Sequence, residues 1–119
     1  MNLNRLINEC HQNAVNHGFW ESETTIIEKL KSKKSLNEEE IEQVQTAFDT
    51  QRIMLIVTEL AEAIEGLRCG NRENLCEEIA DTVIRIADTC GGMGIDLESA
   101  IIAKMAINKN RPKLHGKKF

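Results

Sequence analysis

The chain has 119 residues, room for one small domain with a core of its own. It is 41% hydrophobic and 29% charged, an ordinary globular balance, and no run approaches the ~18 apolar residues of a membrane span. One Pro and 3% aromatic residues, set among many Ala, Ile, Leu and Glu, favour helix throughout.

In chain order, Leu3, Leu6, Ile7, Cys10 and Ala14 recur at helical spacing and predict a first helix over 3–16, stopped by Gly18 in "HGFW". Ser22 or Glu23 opens a second, short helix carrying Ile26, Ile27 and Leu30, and "KSKKS" at 31–35 reads as a solvated turn. "SLNE" at 35–38 has the capping-box form, Ser35 with Glu38, and Asn37 is a competing cap. A long helix follows from about 37 to 68. Its second half, "RIMLIVTELAEAIEGL", is apolar on nearly every side, as in a helix buried within a bundle or at a subunit interface. Gly70 and Asn71 break it and cap the next helix, about 72–90, with Ile79, Val83, Ile86 and Cys90 as its core stripe. "GGMG" at 91–94 is then a loop, Asp96 caps a last helix to about 110, and Pro112 prevents its continuation. No segment alternates with period two. The expected fold is therefore all-α: one domain over 1–110, a bundle of four to five helices completed by homo-oligomerisation as a homodimer or homotetramer, and a flexible basic tail over 111–119.

The four cysteines, at 10, 69, 76 and 90, form no Cys-x-x-Cys pair, which excludes zinc-knuckle and thioredoxin-type chemistry. The opening "MNLNRLINEC" lacks the apolar run of an export signal, so a cytoplasmic chain with reduced, mostly core-filling thiols is expected. The net charge of −4 hides an asymmetry: six Lys and Arg and no acid lie from Lys104 onward, leaving −10 on residues 1–103. Such a basic end can bind nucleic acid or set cations beside an acidic site where a metal and a phosphate meet. The acidic body and the absence of interleaved aromatic and basic residues argue against nucleic acid.

The acids carry the strongest signal. Glu59 and Glu62 stand three apart among Leu55, Ile56, Leu60, Ala63 and Ile64, so both share a helix face with apolar neighbours, about 60° from one another. Carboxylates are costly to bury unless something pairs with them. The next helix carries Glu78 and Asp81, again three apart, and a short turn between the helices makes them antiparallel neighbours. Four carboxylates gathered between two helices repel unless protonated or neutralised by a cation. An oxygen-only set suits Mg²⁺, or Mn²⁺. A di-iron bundle needs Glu-x-x-His, but His11, His17 and His115 follow Asn8, Ala14 and Pro112 at that spacing, which excludes it. Lys104, Asn108 and Arg111 share one face if the last helix persists, where cations can grip phosphates. Phe19 and Trp20 are the flat side chains available to a base.

Glu59-x-x-Glu62, fifteen intervening residues, then Glu78-x-x-Asp81 resembles the bipartite motif of MazG-like nucleotide pyrophosphohydrolases, all-α proteins related to dimeric dUTPases and dCTP pyrophosphatases. The ending "KMAINKNRPKLHGKKF" and the early "GFW" are similar to that family as well, so the resemblance spans nearly the whole chain. It implies hydrolysis of (deoxy)nucleoside triphosphates between the α and β phosphates. It further implies Mg²⁺ on Glu59, Glu62, Glu78 and Asp81, with Glu59 or Glu62 as the proton acceptor. Lys104, Asn108 and Arg111 would bind the phosphates, in a dimer or tetramer with sites near subunit interfaces. Thr58 stands where many members carry a further acid. The rival expectation is a non-catalytic helical interaction module that keeps the acidic motif.

Overall fold

The computed structural model describes residues 2–119. Five helices follow one another: α1 (Leu3–Asn16), α2 (Glu21–Lys33), α3 (Glu38–Arg68), α4 (Arg72–Met93) and α5 (Leu97–Lys109), with a 3-10 turn at Lys113–Gly116. Among the described residues there is no strand, as the sequence pattern predicts.

Side chains close most helix starts. Asn2, Asn37, Asn71 and Asp96 each accept a backbone N–H of the first turn of α1, α3, α4 and α5. At α3 the cap is Asn37 rather than Ser35, and the capping box is completed by Glu40. Helix α2 begins at Glu21, earlier than the Ser22 or Glu23 start, without a side-chain cap. Glu21 and Glu23 in its first turn and Lys31 and Lys33 in its last complement its dipole instead, and the chain turns only at Lys34.

Helix α4 departs most from expectation. Gly91 and Gly92, read as loop, are helical, and the helix ends at Gly94, whose φ of 66° suits a residue without Cβ. The two glycines are there for proximity. A Cβ on Gly92 would lie 2.0 Å from Cη2 of Trp20, and one on Gly91 would lie 2.6 Å from Cβ of His11. The core stripe is also displaced. Ile79 and Val83 stand about half exposed, whereas Thr82, Ala87, Thr89 and Cys90 are buried. The inward faces of α4 are those turned to α3 and α1, its two principal neighbours, and the acids Glu78 and Asp81 stand on the side that meets Glu59 of α3.

Helix α2 rests on α3, and α5 touches α1. The main core is small: Ile7, Ala87 and Cys90, flanked by Leu3, Leu6, Ile86 and Leu97. Cys10 is half-buried, but Cys69 and Cys76 are exposed, so only two of the four thiols pack inward. The accessible surface is 9191 Å² and the radius of gyration 17.9 Å. A compact monomer of this length shows about 6,500 Å² and about 13.5 Å. The excess is apolar: Ile64, Leu67, Ile102 and Met105 are each more than half exposed. Among the described residues no helix is long and apolar enough to cross a membrane.

Candidate metal centre and adjoining cleft

The packing of α4 against α3 brings both acidic pairs to one place. A carboxylate oxygen from each of Glu59, Glu78 and Asp81 lies within 4.8 Å of the others. Glu59 is buried, Glu78 half-buried and Asp81 exposed, so the group opens from the helix interface toward solvent. Glu62, one turn along α3, completes the cluster from its rim. A hydrogen bond with Glu78 and the negative charges of Glu78 and Glu59 hold its carboxyl above the ordinary value.

The supporting bonds come from α4 itself. Asn74 donates to Glu78 Oε1 at 3.1 Å, and the Thr82 hydroxyl donates to the Glu78 carbonyl at 2.8 Å. Arg85 donates its Nε–H to Glu59 Oε1. It is the cation that balances the buried Glu59, and the sequence reading missed it. The signal was present: Arg85 follows Asp81 by four residues on the same helix, hence on the same face.

From this cluster a cleft of about 400 Å³ runs along α3. Glu59, Asp81 and Arg85 line one end, and Phe19, Phe48 and Arg52 the other. Asn13 lines it as well. His17 is turned away, its Nδ1 2.7 Å from the Asn13 carbonyl. A larger open depression of about 740 Å³, lined by His11, Trp20, Glu21 and Asp49, lies apart from the acids.

Trp20 does not line the cleft, and its ring is engaged on several sides. Its Nε1–H donates to Asp88 Oδ1 at 2.8 Å, His11 meets its edge with ring centres 5.0 Å apart, and Gly92 gives way to its rim. The Arg52 guanidinium lies 3.2 Å over its face. Packing, not base stacking, occupies this side chain, and Phe19 is the aromatic left open. Asp88 is a partly buried hub that also lies 2.9 Å from His11 Nδ1. An ionised carboxylate only accepts, so that ring nitrogen carries the proton. Glu23 is buried as well, paired with Arg52 at 3.4 Å and accepting from Gln45 at 3.3 Å.

The basic group stands elsewhere. Lys104 and Asn108 lie on α5, but α5 ends at Lys109, so Arg111 falls beyond the helix and does not continue their face. Arg111 instead lies 3.1 Å from His115 Nδ1. None of the three lines the cleft, and Asn108 Oδ1 is buried without a donor.

No family model, curated protein or solved structure matches the chain.

Proposed function

We propose that the protein is a Mg²⁺-dependent nucleoside triphosphate pyrophosphohydrolase of the MazG-like kind, converting (deoxy)nucleoside triphosphates to monophosphate and pyrophosphate. The observation that carries this reading is the convergence of Glu59, Glu78 and Asp81 oxygens within 4.8 Å at the mouth of a cleft. Their donor set fits the ion. It is all oxygen, anionic in excess of the single Arg85 beside it, and open on one side, as a hard divalent cation that keeps part of its water shell requires. Glu59, Glu78 and Asp81 would hold Mg²⁺ (or Mn²⁺), with Glu62 at the rim. When bound, the ion neutralises phosphate charge and acidifies water.

The chain's own side chains supply the rest. Glu62, exposed at the rim of the cluster, accepts the proton of the water that attacks the α phosphorus. A new P–O bond forms there, and the α–β bridging bond breaks to release pyrophosphate. Arg85 is close enough to follow the charge that leaves.

We infer also that the working form is a homo-oligomer. The protomer exposes about 2,700 Å² more than a compact monomer, the scale of an obligate interface. A second copy can present its α5, with Lys104, Asn108 and Arg111, to a cleft that the protomer's own α5 does not line. Light scattering that finds a stable monomer at micromolar concentration would contradict this.

The function is tested by product analysis of an NTP and dNTP panel, with and without Mg²⁺, beside Glu59→Gln. Metal-dependent monophosphate and pyrophosphate, lost in the variant, are expected. A folded protein that neither turns over any nucleotide nor binds Mg²⁺ would instead be the helical interaction module, its exposed apolar helices serving partners alone.

A further inference from the structure

Helix α3 supplies both ends of the cleft. Arg52 precedes Glu59 by seven residues, so the two side chains leave nearly the same face about 10 Å apart along the axis. That spacing is close to the reach from a nucleotide's α phosphate to the far edge of its base. With phosphates at the acids, a base seated toward the other end of the cleft would have Phe19, Phe48 and Arg52 around it.

We propose that Arg52 is the specificity-determining residue of this cleft and selects a base that offers two adjacent acceptors, guanine through O6 and N7 or cytosine through O2 and N3. This rests on the nucleotide-hydrolysing reading above. Stacking on Trp20 uses the face of the guanidinium and fixes its plane, so its hydrogen bonds are made in that plane. Its N–H groups are poorly used within the chain. Nη2 makes two long bonds, each 3.4 Å, to Glu23 Oε2 and to the Phe19 carbonyl. The Nε–H is buried and has no acceptor. A buried donor without a partner is unfavourable, and a planar pair of donors is best satisfied by a planar pair of acceptors. Glu23 does not depend on Arg52 alone, because Gln45 donates to its other oxygen.

Arginine carries donors only. Guanine and cytosine present two acceptors side by side. Adenine sets its amino group beside N7 and N1, and thymine and uracil set N3–H between their carbonyls, so each puts a donor or a gap against the fork. A site built for one such pattern rejects the other strongly, since its own donors are then left unpaired.

The test compares kcat/KM for dGTP, dCTP, dATP and dTTP in the wild type and in Arg52→Lys, which keeps the charge and loses the fork. The wild type is expected to favour dGTP or dCTP over dATP by about 10- to 100-fold. In the variant the preference falls to within a few-fold, mainly through KM. Trp20, the only tryptophan, reports binding of dGMP, dCMP and dAMP without metal by its fluorescence. Equal wild-type use of all four triphosphates would overturn the role of Arg52 and leave the hydrolase standing, as would a preference that survives in Arg52→Lys. No turnover, but selective fluorescence response to dGMP or dCMP, would overturn the hydrolase and keep base selection. If Arg52→Lys does not fold, 7-deaza-dGTP on the wild type decides the guanine case, since replacing N7 should cost about tenfold. An unchanged rate there would overturn it.

Discussion

Arg85 on α4 gives its Nε–H to the buried carboxylate of Glu59 on α3, so a cation from the chain already stands where a metal ion would bring its charge. The pair answers the cost of burying Glu59, and it makes Arg85 an internal competitor for the acidic cluster.

If the protein hydrolyses nucleotides as proposed, replacing Arg85 by Met should tighten Mg²⁺ binding several-fold while lowering kcat about 10²-fold, because the lost guanidinium lines the cleft beside the acids, where the phosphates would lie. Calorimetric titration and steady-state kinetics separate the two effects. Weaker Mg²⁺ binding in the variant would show that Arg85 supports the cluster rather than competing for it.

The seating of Trp20 can be tested by sign. Gly→Ala inside a helix ordinarily stabilises by about 0.5–1 kcal/mol. At Gly92 the added Cβ would sit 2.0 Å from the Trp20 ring. Gly92→Ala should instead cost about 1–3 kcal/mol, the usual range for overpacking. The melting temperature falls by about 3–6 °C per kcal/mol, and Trp20 emission moves to the red. A higher melting temperature would mean that the ring is not held against α4.

If Mg²⁺ binds as proposed, the raised carboxyl of Glu62 links its binding to pH. In the unfolded chain it ionises near an ordinary Glu, about 4.3. Between that value and its higher folded value, the folded protein holds a proton that the unfolded chain has released. Its contribution to stability is fully present below the unfolded value and is lost as pH rises through the folded one. Mg²⁺ acts in the opposite direction, because it takes the deprotonated cluster and expels that proton. The melting-temperature gain from Mg²⁺ should be larger at about pH 7.5 than at about pH 5. Glu62→Gln should flatten the difference, and a gain independent of pH in the wild type would contradict the coupling.

The order of the helices and most of their caps were legible in the sequence because each is set locally. Asn37, Asn71, Gly70 and Asp96 act within one turn of the positions they mark, and the spacing of Glu59, Glu62, Glu78 and Asp81 survives whatever the helices pack against. What the sequence hid is what only packing decides. Gly91 and Gly92 look like a loop until His11 and Trp20 are placed against them. Asp88 looks like a surface acid until the indole N–H reaches it. Ile79 and Val83 have core periodicity, yet the inward faces of α4 are those met by α3 and α1, leaving both half exposed. The same limit applies to Lys104, Asn108 and Arg111: helical spacing puts the first two on a common face but does not say which cleft that face meets.

Suppose α5 of a second copy supplies the phosphate-binding cations. Glu59→Gln and the double variant Lys104→Ala, Arg111→Ala then damage opposite partners of each shared site. Each variant alone should be inactive or nearly so. Mixed, unfolded and refolded together, a two-fold dimer forms about half as heterodimers, each with one intact site, and about a quarter of wild-type activity returns. Differently tagged chains recovered together confirm that exchange has occurred. Exchange without recovered activity would place the basic residues in the same chain as the acids they serve, and α5 would then have to swing onto its own cleft from its seat beside α1.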